Sequence, residues 1–132
     1  DMHPLYRRGQ ALSLPVPDVV SQDKRGWICR FPLPDGREAI IIYTRRGYIR
    51  GGEHHNSDQN NVVLQGALKW TYGDETTEVM TTGDGNTIPE GKKHMAEAIE
   101  DTVYLEWLSG PWEKTYDPEM RAIVEERMKE DA

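Results

Sequence analysis

The segment RGYIRGGEHHNSDQNNVVLQG, Arg46 to Gly66, gathers Glu53, His54, His55, Asp58 and Gln59 just before it turns apolar. Imidazole, carboxylate and amide side chains at this density are the materials of a divalent-metal centre or of general acid–base catalysis, or else of a polar loop leading into a strand. On a strand, alternate side chains share a face, so Glu53 and His55 point one way and His54 the other. With Glu53 and His55 inside, His54 is expected to be a solvated surface residue. A one-residue slip or a bulge would exchange the assignment. A second polar segment, GDGNTIPEGKKH, ends on another histidine, His94. His3, Asp58 and Glu97 have no partner in the pattern and are expected at the surface.

The elements that must position these groups are short. WICRF, AIIIYT, NVVLQG, ALKWTY, TEVMTT, NTIP, HMAEAI and TVYLEWL are apolar or alternating runs between residues 27 and 108, separated by turn residues such as the PDG at 34–36. Many short strands at close spacing predict an antiparallel sandwich or barrel. In ALKWTY, Leu68, Trp70 and Tyr72 share one face and Lys69 and Thr71 the other. Residues 1–26, with Pro4, Pro15 and Pro17, read as an N-terminal arm carrying one apolar piece, ALSLPV. The barrel is expected over 27–110, and a loop and helix over 111–132. That helix, near Pro118 to Lys129, has Asp117 as its N-cap, Pro118 at its first position and an apolar stripe of Met120, Ile123, Val124 and Met128.

Composition narrows the function classes. The chain has 132 residues, the length of one ordinary domain, and 30% of them are charged. It lacks an apolar run of the ~20 residues a membrane span needs, and its start lacks the basic-then-apolar order of a secretory leader. With the single cysteine, Cys29, this gives a cytoplasmic location as the expectation. A formal charge of -7 disfavours nucleic acid as partner. Arg45, Arg46 and Arg50 form the exception, a basic cluster that either meets a diphosphate or is a solvated edge. Trp70 and Tyr72, on one face, are suited to stacking on a sugar or base at a barrel mouth.

The glycines and the second histidine segment also carry a resemblance. Gly83, Pro89, Gly91 and His94 are spaced as in the second signature motif of the cupin superfamily, and Gly47, Glu53, His55, Gln59 and Gly66 as in the first. The resemblance covers residues 27–108. It implies an all-β fold, the double-stranded β-helix of a cupin jelly-roll barrel, here with an N-terminal arm and a C-terminal α-helix. It also implies that Glu53, His55, Gln59 and His94 face the interior. In cupins those four positions hold a divalent metal through histidines and a glutamate. Here Glu53 stands at the first histidine and Gln59 at the glutamate, a set still able to ligate Fe, Mn, Ni or Zn through oxygen and nitrogen. The other reading is a metal-free polar cavity.

A narrower resemblance joins IRGGEHHN to KKHMAEAIEDTVYLEWLSGPW. These segments look like the single-domain cupins of nucleotide-sugar and polysaccharide pathways, including the dTDP-sugar 3,4-ketoisomerases, which move protons between sugar carbons without a metal. The resemblance implies a sugar or nucleotide-sugar isomerase or epimerase, with Glu53, His55 and His94 sharing proton transfer and Arg50, Trp70 and Tyr72 binding substrate. A metal-dependent oxygenase or lyase and a non-catalytic binding barrel are the alternatives. Small cupins commonly pair through sheet edges and arms, so a homodimer is expected.

Overall fold

The computed structural model describes residues 18–33 and 35–129. The first part of the arm, with ALSLPV and His3, lies outside the described residues, as does Pro34 of the PDG turn. The strands are β1 Asp18–Asp23, β2 Gly26–Pro32, β3 Glu38–Thr44, β4 Ile49–His55, β5 Gln59–Gln65, β6 Ala67–Tyr72, β7 Thr77–Thr81, β8 Gly85–Ile88, β9 His94–Ala98, β10 Thr102–Leu108 and β11 Lys114–Tyr116. One helix, α1 Pro118–Lys129, follows them. The strands form a six-stranded sheet, β1-β2-β3-β10-β5-β8, and a five-stranded sheet, β11-β4-β9-β6-β7. The pairing is antiparallel throughout both sheets.

The two sheets enclose one apolar core, because their inward positions are filled by large side chains. Leu68, Trp70 and Tyr72 of β6 are buried together with Val63, Met80 and Tyr104, while Lys69 is exposed. The parity expected for ALKWTY is the parity observed. Gly66, between β5 and β6, shows why the corner needs glycine. Its φ is +113°, and a Cβ there would stand 2.6 Å from the Asp101 carbonyl oxygen and 2.5 Å from Thr102 Oγ1. That hydroxyl accepts the Ala67 N–H at 3.0 Å, so the close approach is part of the strand connection.

Two strands fall where the sequence predicts none. The end of the presumed arm is β1, paired with β2 through Asp18↔Arg30 to Asp23↔Gly26. Within the presumed C-terminal loop, β11 pairs with β4 through Lys114↔His55, Thr115↔His54 and Tyr116↔Glu53. The chain after β10 is thereby brought back to the rim beside the histidine segment.

Helix α1 starts as expected, with Asp117 Oδ2 accepting the Met120 N–H at 3.0 Å. It packs on β4, where a Cβ at Gly52 would meet Met120 and Arg121. Only part of the predicted stripe is buried: Met120 and Val124 are, whereas Ile123 is 46% exposed and Met128 lies partly open. Two guanidiniums fasten the helix to backbone, Arg121 Nη1 to the Gly51 carbonyl at 2.8 Å and Arg127 Nη1 to the Gly47 carbonyl at 2.7 Å. No helix among the described residues is long and apolar enough to cross a membrane.

Candidate functional site

The barrel opens into a cavity of about 500 Å³. Arg50, Glu53, His55, Gln59, Trp70 and His94 all line it. Alternation alone would not bring them together, since Arg50 and Glu53 are an odd number of residues apart. The resolution is a β-bulge. Arg50 pairs with Ala96 and Gly51 with Met95, but Glu53 pairs with His94, leaving one residue of β4 without a counterpart. Gly51 and Gly52 have φ of +97° and +82°, values that glycine adopts without strain. The extra residue resets the alternation, so that Arg50 faces inward ahead of the bulge and Glu53 and His55 face inward behind it.

His55 and His94 meet inside, their ring centroids 5.4 Å apart, and Trp70 lies edge-on to His94 at 5.9 Å. Both imidazoles are held at Nδ1 by backbone. His55 Nδ1 stands 3.0 Å from the Glu113 carbonyl oxygen and His94 Nδ1 2.9 Å from that of Lys92. A carbonyl only accepts, so each Nδ1 carries a proton, and Nε2 is the nitrogen at which each ring can take up or release one. Glu53 Oε2 is 3.7 Å from His55 Nε2. Burial pushes the His94 pKa below the ordinary histidine value, opposed by the Lys92 carbonyl and by Glu53.

His54 does not line the cavity. It is, however, less solvated than its outward position implies. It lies half-buried, with Nδ1 enclosed and without a hydrogen-bond partner.

Gln59 is 2% exposed and ends a chain of side chains running through the barrel. Glu78 Oε1 accepts from Asn86 Nδ2 at 2.9 Å, Asn86 Oδ1 from Asn61 Nδ2 at 2.9 Å, and Asn61 Oδ1 from Gln59 Nε2 at 3.0 Å. Gln59 Nε2 also donates to Glu106 Oε1 at 2.9 Å. The acceptor at one end fixes the direction of every amide in turn. It leaves Gln59 Oε1 buried without a partner.

Glu106 belongs to the cavity wall and was not singled out from the sequence. Burial, reinforced by the charge of Glu53, raises its pKa to about 8, against the pull of Lys114 and Arg50. Its signal was available in TVYLEWL, where Tyr104 and Leu108 face inward and Glu106 falls between them in the same parity. Arg25, Lys114 and Arg121 also reach the cavity. Their positions depend on β1, β11 and the packing of α1, which local patterning does not reveal.

Two expectations for substrate contact change. Tyr72 shares the inward face with Trp70 but lies in the core, its hydroxyl donating to Glu78 Oε1 at 2.8 Å and accepting from Asn86 at 3.2 Å. It does not line the cavity, because parity fixes a face and not a depth. The basic cluster also divides. Arg45 and Arg46 are exposed beside a separate surface depression with Asp101, while Arg50 turns into the barrel.

Glu53, His55, Gln59 and His94 face one cavity, yet they do not close as a metal site. Among the described residues no three His, Cys, Asp or Glu side chains stand close enough to hold an ion. Gln59 directs its amide nitrogen, which is no ligand, into bonds with Asn61 and Glu106.

No family model matches the sequence, and no curated protein matches it. Solved structures do. The chain is similar to the capsular polysaccharide assembling protein CapF from Staphylococcus aureus, with a TM-score of 0.62 and 20% identity over 80% of this chain and 33% of that one. It is similar to KdgF from Halomonas sp., with a TM-score of 0.60 and 20% identity over 78% of this chain and 90% of that one. An oxalate decarboxylase from Bacillus subtilis gives a TM-score of 0.57 and 15% identity over 75% of this chain and 30% of that one. The chain thus spans about a third of the length of the CapF and oxalate decarboxylase chains. The likeness is one of fold. The chain's two antiparallel sheets, followed by one C-terminal helix, are those of a cupin-fold jelly roll, the fold of these proteins.

Proposed function

We propose that the chain is a small-molecule cupin enzyme that moves protons within its cavity, an isomerase or epimerase of a sugar or nucleotide-linked sugar. The observation that carries this reading is the convergence of two imidazoles whose Nδ1–H groups are donated to backbone carbonyls, leaving Nε2 of each ring for proton exchange. His94, with its lowered pKa, is neutral near pH 7 and therefore able to act as a base. One imidazole takes a proton from a carbon next to a carbonyl. As the imidazolium it returns that proton to the adjacent carbon, or the other imidazole, entering protonated at Nε2, delivers its own proton to the opposite face. Glu53, close to His55, stabilises the imidazolium formed there. Trp70 offers an aromatic wall for a sugar ring. The shared fold with a capsular polysaccharide assembling protein supports a sugar as substrate.

The test is proton exchange in D₂O, followed by NMR on a panel of free and nucleotide-linked keto sugars. Deuterium should appear at the carbon beside the carbonyl with the chelator-treated protein. The second reading, a metal-dependent oxygenase or lyase, is favoured by the two imidazoles facing one cavity with the Glu53 carboxylate beside His55. It requires Gln59 to turn its unpartnered Oε1 toward them. About one tightly held metal per chain, with no exchange on any sugar of the panel, would overturn the first reading in favour of this one.

The homodimer belongs to the same proposal. Strands β1 and β7 end the two sheets and leave Val20 and Val79 52% and 57% exposed. Pairing would cover such edges. Light scattering at micromolar concentration is expected to give twice the chain mass, and a monomeric mass counts against it.

A further inference from the structure

The charge of the cavity is opposite to that of the chain. The protein carries -7, yet among the described residues Arg25, Arg50, Lys114 and Arg121 reach the cavity against Glu53 and Glu106. Arg25 is neutralised by Asp23 at 2.9 Å. Arg50 is not. It is 7% exposed, its Nε donates to Thr44 Oγ1 at 2.7 Å and its Nη2 to the Tyr43 carbonyl at 3.0 Å. Both acceptors are neutral. Among the described residues no carboxylate lies within 4.0 Å of this guanidinium. Asp23 and Glu106 act on it only through space.

A buried guanidinium bonded only to neutral oxygens retains most of its desolvation cost, which an anion would offset. Arginine has five N–H donors, so the two bonds to the barrel leave others for a ligand. Also lining the cavity, Lys114 and Arg121 gather on one ring, with Lys114 Nζ 5.1 Å and the Arg121 guanidinium carbon 4.8 Å from the centre of Tyr116. Tyr116 is itself 52% exposed, so the two cations gathered on its ring stand at the solvent side of the cavity. About 500 Å³ accommodates a small metabolite and its charged group together.

We propose that the cavity selects an acidic small molecule, a sugar bearing a carboxylate or a phosphate, whose oxyanion pairs with Arg50 while Lys114 and Arg121 draw it in at the rim. The sugar part of this statement rests on the proton-transfer reading above. The oxyanion part rests on Arg50, Lys114 and Arg121 and needs no proton transfer.

Trp70 and Trp112 line the cavity, so intrinsic fluorescence reports its occupancy. Titrations would compare a hexuronic acid, a hexose 1-phosphate and the neutral hexose, each at low and high salt, with inorganic phosphate and acetate as fragment probes. One or both acidic sugars should bind at least tenfold more tightly than the neutral hexose and weaken as salt rises. Which acidic sugar binds distinguishes a carboxylate from a phosphate. Arg50→Gln should abolish the preference for the acidic sugar, and Lys114→Ala should reduce affinity severalfold with an unchanged circular-dichroism spectrum. If Arg50→Gln does not fold, Lys114→Ala and the salt series decide the matter. Equal binding of acidic and neutral sugars, or no binding of either acidic sugar, overturns the proposal. Acidic sugars that bind through Arg50 but exchange no proton would sink the proposed reaction and leave this inference standing.

Discussion

His55→Ala and His94→Ala should each slow substrate proton exchange by about 10²–10⁴-fold, the usual contribution of a positioned acid or base. His54→Ala should leave the rate close to wild type. The three residues make an internally controlled set, because His54 and His55 are neighbours in the chain but only His55 lines the cavity. Each of the two cavity imidazoles is oriented by one backbone carbonyl, that of Glu113 or of Lys92, so truncation removes an aimed ring and leaves the carbonyl near the cavity. Folding should survive, since the deleted atoms line a polar cavity and leave the apolar core of Leu68, Val63 and Met80 filled. Thermal melts within a few degrees of wild type, measured beside the exchange rates, separate lost chemistry from lost structure. Loss of exchange in His54→Ala with normal exchange in His55→Ala would reverse the assignment of the strand's two faces.

That assignment was nearly legible in the sequence, and its one obstacle is instructive. Strict alternation places Glu53 and His55 on one face and Arg50 on the other. All three nonetheless line the cavity, through the bulge at Gly51 and Gly52. The paired glycines are the visible trace of it, for a strand interior otherwise avoids glycine. The strands built from β-branched or alternating runs, such as AIIIYT and TVYLEWL, were readable because burial of one face imposes a period. Strand β11 was not, since Lys114, Thr115 and Tyr116 are all exposed and obey no such period. It is held by pairing with β4, a contact between residues far apart in sequence. The cavity's cations were hidden for the same reason. Arg25 enters beside β1, Lys114 on β11 and Arg121 on a helix packed against the bulge, so none is close in sequence to the histidine motif.

Glu106→Gln should stabilise the protein in alkaline solution and leave it nearly unchanged in mild acid. In the folded state burial and the nearby Glu53 raise the Glu106 carboxyl from 4.5 to about 8. Below the lower value both folded and unfolded chains hold the proton, and the group contributes no pH dependence. Between the two values the unfolded chain has released its proton while the folded one retains it. Stability therefore falls as pH rises through this window, and the loss is complete above about 8. At about 1.4 kcal/mol per pH unit, and allowing for screening through the open cavity, the loss is of order 2–4 kcal/mol. Glutamine has the shape of the protonated acid, and its Oε1 accepts the Gln59 amide as the carboxyl does. It cannot ionise, so it removes the loss without removing the bond. Thermal unfolding from pH 5 to pH 9 should show the melting temperatures of variant and wild type diverging by several degrees as pH rises. A difference that stays constant across that range would mean that Glu106 ionises as an ordinary carboxylate. The burial assigned to this carboxyl in the cavity wall would then be wrong.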